Sequence, residues 1–286
     1  MRHHVENDRL RAAAKPLGAE LVSLWDKKRE RELIWQGDPA IWAGHSPLLF
    51  PVVGKVKGDQ YLLGARAFPM EKHGFALHSP FALAKQSGSS LTFTLRDNPR
   101  TRECYPFAFE VEVSFSLCEN RLEILHSVRN PSGEAALPFS IGAHPGFSCE
   151  LGDQLIFEKA EEPMAHRFDG ALLLNPVPVS VPMSGRALPI TESLFVEDAL
   201  IFPNLRSRSV ILQSQNLGDL LRVDWYEAPV LGLWAKPGAP YVCVEPWYGI
   251  DDHAGVSDQL TEKPRIILLP PGESFHFPVT ITALPQ

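Results

Sequence analysis

The clearest pattern in the chain is an alternation of apolar and polar positions. Phe107, Phe109, Val111, Val113, Phe115 and Leu117 alternate with Ala108, Glu110, Glu112, Ser114 and Ser116. A period of two puts one set on each face of a β-strand, whereas helical spacing would smear both around a cylinder. Glu119-Asn120 interrupts the pattern and Leu122, Ile124, His126 and Val128 resume it, which predicts a hairpin. Shorter strands are predicted at residues 91–95, 210–212, 221–225, 230–234, 241–245, 266–269 and 275–281, with early ones at 19–24 and 32–35. Turn chemistry separates them at Asn130-Pro131-Ser132-Gly133, Lys236-Pro237-Gly238 and Pro270-Pro271-Gly272-Glu273.

Long helices have little room among 26 prolines and 20 glycines. Residues 175–189, with Pro176, Pro178, Pro182 and Pro189, read as an extended, irregular connection. No composition shift marks a linker and no repeat of fixed period occurs. The expectation is an all-β chain, residues 1–286 forming one domain of two packed antiparallel sheets.

Composition narrows the class of partner. Hydrophobic residues make up 44% and charged residues 21% of the 286, ordinary values for a globular protein. A net charge of −7 without a Lys/Arg block gives nucleic acid no electrostatic reason to bind. Cys104, Cys118, Cys149 and Cys243 are too scattered for a disulfide framework or a CxxC metal site, and fit a reducing, cytoplasmic setting. No apolar h-region follows Arg2, His3 and His4, so no signal peptide is expected. No apolar run approaches the ~18 residues of a membrane span.

Three segments depart from a plain sandwich. In Lys72-His73-Gly74-Phe75-Ala76 a histidine precedes a glycine that permits close backbone approach. In Ile141-Gly142-Ala143-His144-Pro145-Gly146-Phe147 a strand is broken directly after His144, leaving the imidazole near a strand end. In Val242-Cys243-Val244-Glu245-Pro246-Trp247 a carboxylate interrupts an apolar strand, on the face shared by Tyr241 and Cys243. An inward carboxylate needs a charge partner or a chemical role. Pro246 lacks a ladder donor and points to a strand end or bulge there. Each residue read alone also fits a structural role: an ion pair for Glu245, a backbone-satisfied ring for His144, a loop histidine for His73.

Taken together, the segments resemble the aldose 1-epimerases (galactose mutarotases), especially their shorter LacX-like branch. The resemblance runs from Glu6-Asn7-Asp8-Arg9-Leu10 and Gly18-Ala19-Glu20-Leu21-Val22-Ser23-Leu24 through Pro47-Leu48-Leu49-Phe50-Pro51-Val52-Val53-Gly54-Lys55-Val56 and His73-Gly74-Phe75-Ala76. It continues through Gly142-Ala143-His144-Pro145-Gly146-Phe147, Asp198-Ala199-Leu200-Ile201-Phe202 and Glu245-Pro246-Trp247. No single motif is specific; their order and spacing are. The resemblance implies an antiparallel β-supersandwich with an open cleft on a concave sheet. It matches Glu245 to the catalytic base, His144 to the catalytic acid and His73 to a second histidine near the sugar ring oxygen. Asp198 falls where an acidic residue contacts sugar hydroxyls. The better-known hexose mutarotases carry an arginine in an Ala-Asn-Arg segment upstream of the first histidine. Here Val53-Gly54-Lys55-Val56-Lys57 offers Lys55 as the nearest match, a point charge without a bidentate fork. The departure leaves the sugar open.

The implied reaction interconverts anomers through the open-chain aldehyde. Glu245 takes the C1 hydroxyl proton while His144 protonates the ring oxygen, and ring closure reverses both steps. Neither metal nor redox cofactor is needed, because no electrons move. The scheme expects His144 largely protonated near neutrality, supported by the nearby carboxylate. Phe147 and Trp247 fit either apolar walls for the sugar or plain core packing. Three rivals remain at this level. A sugar-phosphate epimerase would grip phosphate with Lys55, Lys57, Arg66 or Arg102. A non-catalytic carbohydrate-binding protein would use the sheet as a surface. A cupin-type metal enzyme would use the two histidines and the carboxylate as ligands, but no HxH-like pair is present.

Overall fold

A computed structural model describes residues 1–285. Its largest element is a nine-stranded antiparallel sheet. The strand order is Ala187–Pro189, Gln154–Phe157, Ser209–Ser214, Gly218–Asp224, Ser274–Ala283, Arg121–Arg129, Glu110–Cys118, Ser90–Arg96 and Ala82–Gln86. The predicted hairpin sits at its centre, with Val111 opposite Val128 and Phe115 opposite Ile124. Side-chain burial along Glu110–Cys118 alternates residue by residue, as its polarity pattern requires. The pattern begins at Phe107 in sequence, but pairing starts only at Glu110.

A second sheet has the order Leu200–Phe202, Val230–Trp234, Tyr241–Tyr248, Ile141–Ala143 and Leu48–Leu49, with Gly146–Ser148 also paired to Tyr241–Tyr248. The two sheets face one another: Leu48, Ala143 and Pro145 meet Val113, Phe115, Ile124 and Val279 across a small internal gap. A four-stranded sheet, His3–Glu6, Leu10–Lys15, Glu20–Asp26 and Arg31–Glu32, precedes them. The early pair expected at 19–24 and 32–35 thus exists, the second strand ending three residues short of the expected end. A helix spans Pro99–Cys104; the Asn98 and Thr101 side chains close a capping box and Pro99 fills its first turn. The fold is the expected antiparallel β-supersandwich. All four cysteines are free. No helix of the described residues is long and apolar enough to cross a membrane.

One expectation is corrected here. The strand carrying Glu245 does not end at Pro246 but runs on to Tyr248. In an antiparallel ladder, residues two apart address the same neighbour. Val244 donates its N–H to the Pro145 carbonyl. Pro246 is the next position on that side, where no donor is present, and the partner strand is itself interrupted between Ala143 and Gly146. A continuous strand therefore runs beside an interrupted one without loss of register.

Candidate active site

That interrupted pair builds the site. Gly142 lies opposite Trp247 and Gly146 opposite Cys243, so counting inward puts His144 opposite Glu245. The His144 Nε2 and Glu245 Oε1 are 3.2 Å apart, and both side chains are buried. The His144 amide donates to the Pro47 carbonyl at 3.1 Å, which fixes the backbone where it leaves the ladder. The ring packs against Trp42 and Trp234, with centroids at 5.2 and 5.8 Å.

His73 enters from a loop. It adopts a left-handed backbone (φ 67°), and Gly74 follows at φ 71°. A Cβ at Gly74 would lie 2.3 Å from the Phe50 carbonyl oxygen, so close approach demands glycine, as expected. The Gly54 amide donates to His73 Nδ1 at 3.1 Å, which leaves the ring proton on Nε2 as a donor. The His73 and His144 rings meet edge to face at 5.8 Å.

These residues line an open cleft of about 430 Å³, together with Trp42, Lys72, Asp198, Trp234, Trp247 and Asp251 among others. Asp198 has φ 67°; its Oδ1 accepts the Ala199 N–H and its carbonyl accepts from Arg167. Trp247 borders the cleft while packing into a buried cluster with Leu49 and Val230. Two expectations are corrected. Phe147 is fully buried in the main core and does not line the cleft, because strand alternation turns it away from the face that Gly146 presents to Trp42 and Cys243. Lys55 does not line the cleft either. Its ammonium bonds the Ala171 carbonyl at 3.2 Å and lies 3.8 Å from Asp59. The segment acts through its backbone instead: the amides of Gly54, Lys55 and Lys57 bond His73 Nδ1, Asp251 Oδ1 and Asp252 Oδ2. The other proposed phosphate grips are engaged elsewhere, Lys57 with Asp258, Arg66 over Phe68 and Arg102 with Asp97.

The sequence reading missed Lys72 as a cleft residue, and missed Asp251, Trp42 and Trp234 entirely. Lys72 adjoins His73, which was its available signal. Asp251 follows an apolar strand through Gly249-Ile250, a weak local cue. Asp251 is buried, its Oδ1 takes the Lys55 N–H at 2.7 Å, and its Oδ2 has no partner. His144 Nδ1, Glu245 Oε2 and Trp247 Nε1 are likewise buried without a well-formed hydrogen bond. Four orphaned polar atoms thus gather at one cleft floor, where each is costly unless a ligand satisfies it.

Burial governs the charges. It pushes the Glu245 carboxyl well above the usual carboxylate range; the Lys72 ammonium opposes this, while Asp251 and Asp198 reinforce it. Burial also pushes His144 down to about 3, with Lys72 acting in the same direction. His73 is held well below 6.5 by burial, then by His144 and Lys72. Burial therefore opposes the resting imidazolium expected at His144. Both shifts favour the uncharged carboxyl and the uncharged imidazole.

The comparisons agree with this architecture. A family model described as aldose 1-epimerase matches residues 1–281. The plasmid-borne protein LacX of Lactococcus lactis subsp. lactis is 30% identical over 300 residues, covering 98% of each chain. A galactose mutarotase related enzyme from Lactobacillus acidophilus superposes with a TM-score of 0.92 at 30% identity, covering 100% of this chain and 98% of that one. A galactose mutarotase-like protein from Lactobacillus casei also gives 0.92 at 30% identity, covering 99% of each. An Escherichia coli aldose 1-epimerase homologue shares the fold at TM-score 0.78 and 16% identity, covering 99% of this chain and 98% of that one. By sequence and by fold, the chain belongs to the aldose 1-epimerase family.

Proposed function

We propose that this chain is a mutarotase that interconverts the α and β anomers of a free hexose, with Glu245 as base and His144 as acid. The observation that carries the reading is the buried Glu245–His144 pair, 3.2 Å apart on the floor of an aromatic cleft. Glu245 sits on a strand and His144 in the gap of the neighbouring one, so a sugar above them can meet the carboxylate at its C1 hydroxyl and the imidazole at its ring oxygen. His73 Nε2–H supplies a further donor beside the ring oxygen. Asp198 accepts from a sugar hydroxyl at the cleft wall. Trp42, Trp234 and Trp247 cover the apolar C–H faces of the ring.

The neutral resting pair enters the reaction by one proton shift. Moving the carboxyl proton from Glu245 to His144 yields the carboxylate and imidazolium that ring opening requires. Sugar hydroxyls donating to the orphaned Oε2 favour the carboxylate, and the Lys72 charge does the same. Opening then removes the C1 hydroxyl proton at Glu245 and delivers one to the ring oxygen from His144. Rotation about C1–C2 and closure reverse both transfers. One buried cluster contains residues from Val5 to Ala283, which supports treating residues 1–286 as a single unit.

Polarimetry of freshly dissolved α-D-glucose and α-D-galactose tests the reading. Wild type accelerates the optical change; Glu245→Gln and His144→Asn each lose ~10²–10⁴-fold. No acceleration with these sugars or their 6-phosphates overturns it in favour of a binding protein.

A further inference from the structure

Cys243 precedes Glu245 by two residues, so strand alternation turns both side chains to the same face, with Cys243 fully buried and not itself lining the cleft. His144 faces Glu245 from the gap in the neighbouring strand. One nitrogen, one sulfur and one oxygen donor from these three buried residues all lie within 4.8 Å of one another. We propose that this trio binds a thiophilic divalent cation, such as Zn²⁺ or Cd²⁺, which shuts the site by occupying its acid and base together.

Geometry and charge both favour the assignment. Tetrahedral Zn²⁺ takes bonds of about 2.0–2.3 Å, so its donors stand roughly 3.3–3.8 Å apart. The His144–Glu245 edge already measures 3.2 Å, and the Cys243 sulfur lies within 4.8 Å of a donor atom of each. His144 and Glu245 line the cleft, from which water or a sugar hydroxyl can complete the sphere. Thiolate, carboxylate and neutral imidazole carry two negative charges, so the complex with a dication is neutral, as burial prefers. Forming it releases two protons: the thiol proton and the carboxyl proton. The mixed N, S and O donors select Zn²⁺ or Cd²⁺ over Mg²⁺ or Ca²⁺, which prefer all-oxygen shells.

The inhibitory half of this inference rests on the mutarotase reading; the binding half does not. The test titrates the full chain with CdCl₂ and reads the ultraviolet thiolate-to-metal charge-transfer band, then follows polarimetric rates with ZnCl₂ or MgCl₂ and after EDTA. Wild type is expected to show the band at one Cd²⁺ per chain beyond that of Cys243→Ser. Zn²⁺ should slow wild type at least tenfold, with EDTA restoring the rate and Mg²⁺ doing nothing. Cys243→Ser and Cys243→Ala should keep the basal rate and need at least tenfold more Zn²⁺ for the same inhibition. Equal bands and equal inhibition in wild type and both variants would overturn the proposal. So would an EDTA-treated enzyme that regains activity only with Zn²⁺. A wild type with no mutarotation but an intact Cys243-dependent band would sink the activity reading and leave the metal site standing.

Discussion

The two facing sheets handle polarity in opposite ways. Along Glu110–Cys118 in the large sheet, Val111, Val113 and Phe115 point inward, while the polar residues between them meet water and one another. Ser114 bonds Thr92 across the strands at 2.9 Å, and Thr94 bonds Glu112 at 3.2 Å. Along Tyr241–Tyr248 in the cleft sheet, every residue but the last is buried, on both faces. One face joins the core and the other floors the cleft. A polar residue in the first strand marks solvent; in the second it marks a place prepared for a ligand, at a cost in stability.

Phe115→Ala tests the first half of that contrast. The ring is buried at the sheet interface, so its loss should cost about 3–5 kcal/mol in denaturant unfolding. The rate per folded molecule should not change, because Phe115 does not line the cleft. Glu245→Gln should do the reverse, removing turnover while leaving stability equal or higher. Equal stability loss in both variants would erase the distinction between the sheets.

Two buried histidines sharpen it further. His126 occupies an inward position in the hairpin, stacked on Phe277 at 5.0 Å, with Nδ1 paired to the Phe277 carbonyl at 3.1 Å. Burial pushes it down to about 4, and the carbonyl contact partly opposes this. The folded value lies below the unfolded ~6.5, so the unfolded chain binds more protons between the two. Its stabilising contribution is complete above pH 6.5 and disappears as pH falls through 4, about 3 kcal/mol in all. His126→Phe should lose less stability than wild type between pH 7 and 4.5. His144 titrates in the same direction, so the difference between the two proteins isolates His126. Parallel pH dependences would mean that the His126 ring is solvated in the fold.

What the sequence made legible follows the same division. The hairpin, the Val230–Trp234 strand and the Ser274–Ala283 strand were readable because one face of each element, or its bounding turns, meets water. Glu245 and His144 were readable because a carboxylate and a proline-flanked histidine are conspicuous in apolar surroundings. Pro246 misled, because its missing donor coincides with a gap in a partner strand distant in sequence. Lys55 and Phe147 misled because tertiary packing, rather than local pattern, decides where their side chains go. Asp251 gave almost no signal, since its role depends on a turn nearly two hundred residues away.

That turn makes Asp251 the mildest and most specific test. Gly54, at φ 72°, leaves room for the carboxyl; a Cβ there would sit 2.1 Å from Asp251 Cγ. The same glycine exchanges two hydrogen bonds with His73, so the turn aligns histidine and carboxyl together. Burial pushes Asp251 up to about 6, and its charge raises the proton affinity of Glu245. Asp251→Asn preserves shape and the bond from the Lys55 amide while removing the charge. Without that like charge Glu245 ionises more readily, so the acidic limb of kcat/KM should move to lower pH. The rate near neutrality should change by about tenfold, roughly 1.4 kcal/mol. A fixed limb with a raised KM would instead make the free Oδ2 a sugar-hydroxyl acceptor. If neither moves, Asp251 serves the turn alone, and the electrostatics of the cleft reduce to Glu245, His144 and Lys72.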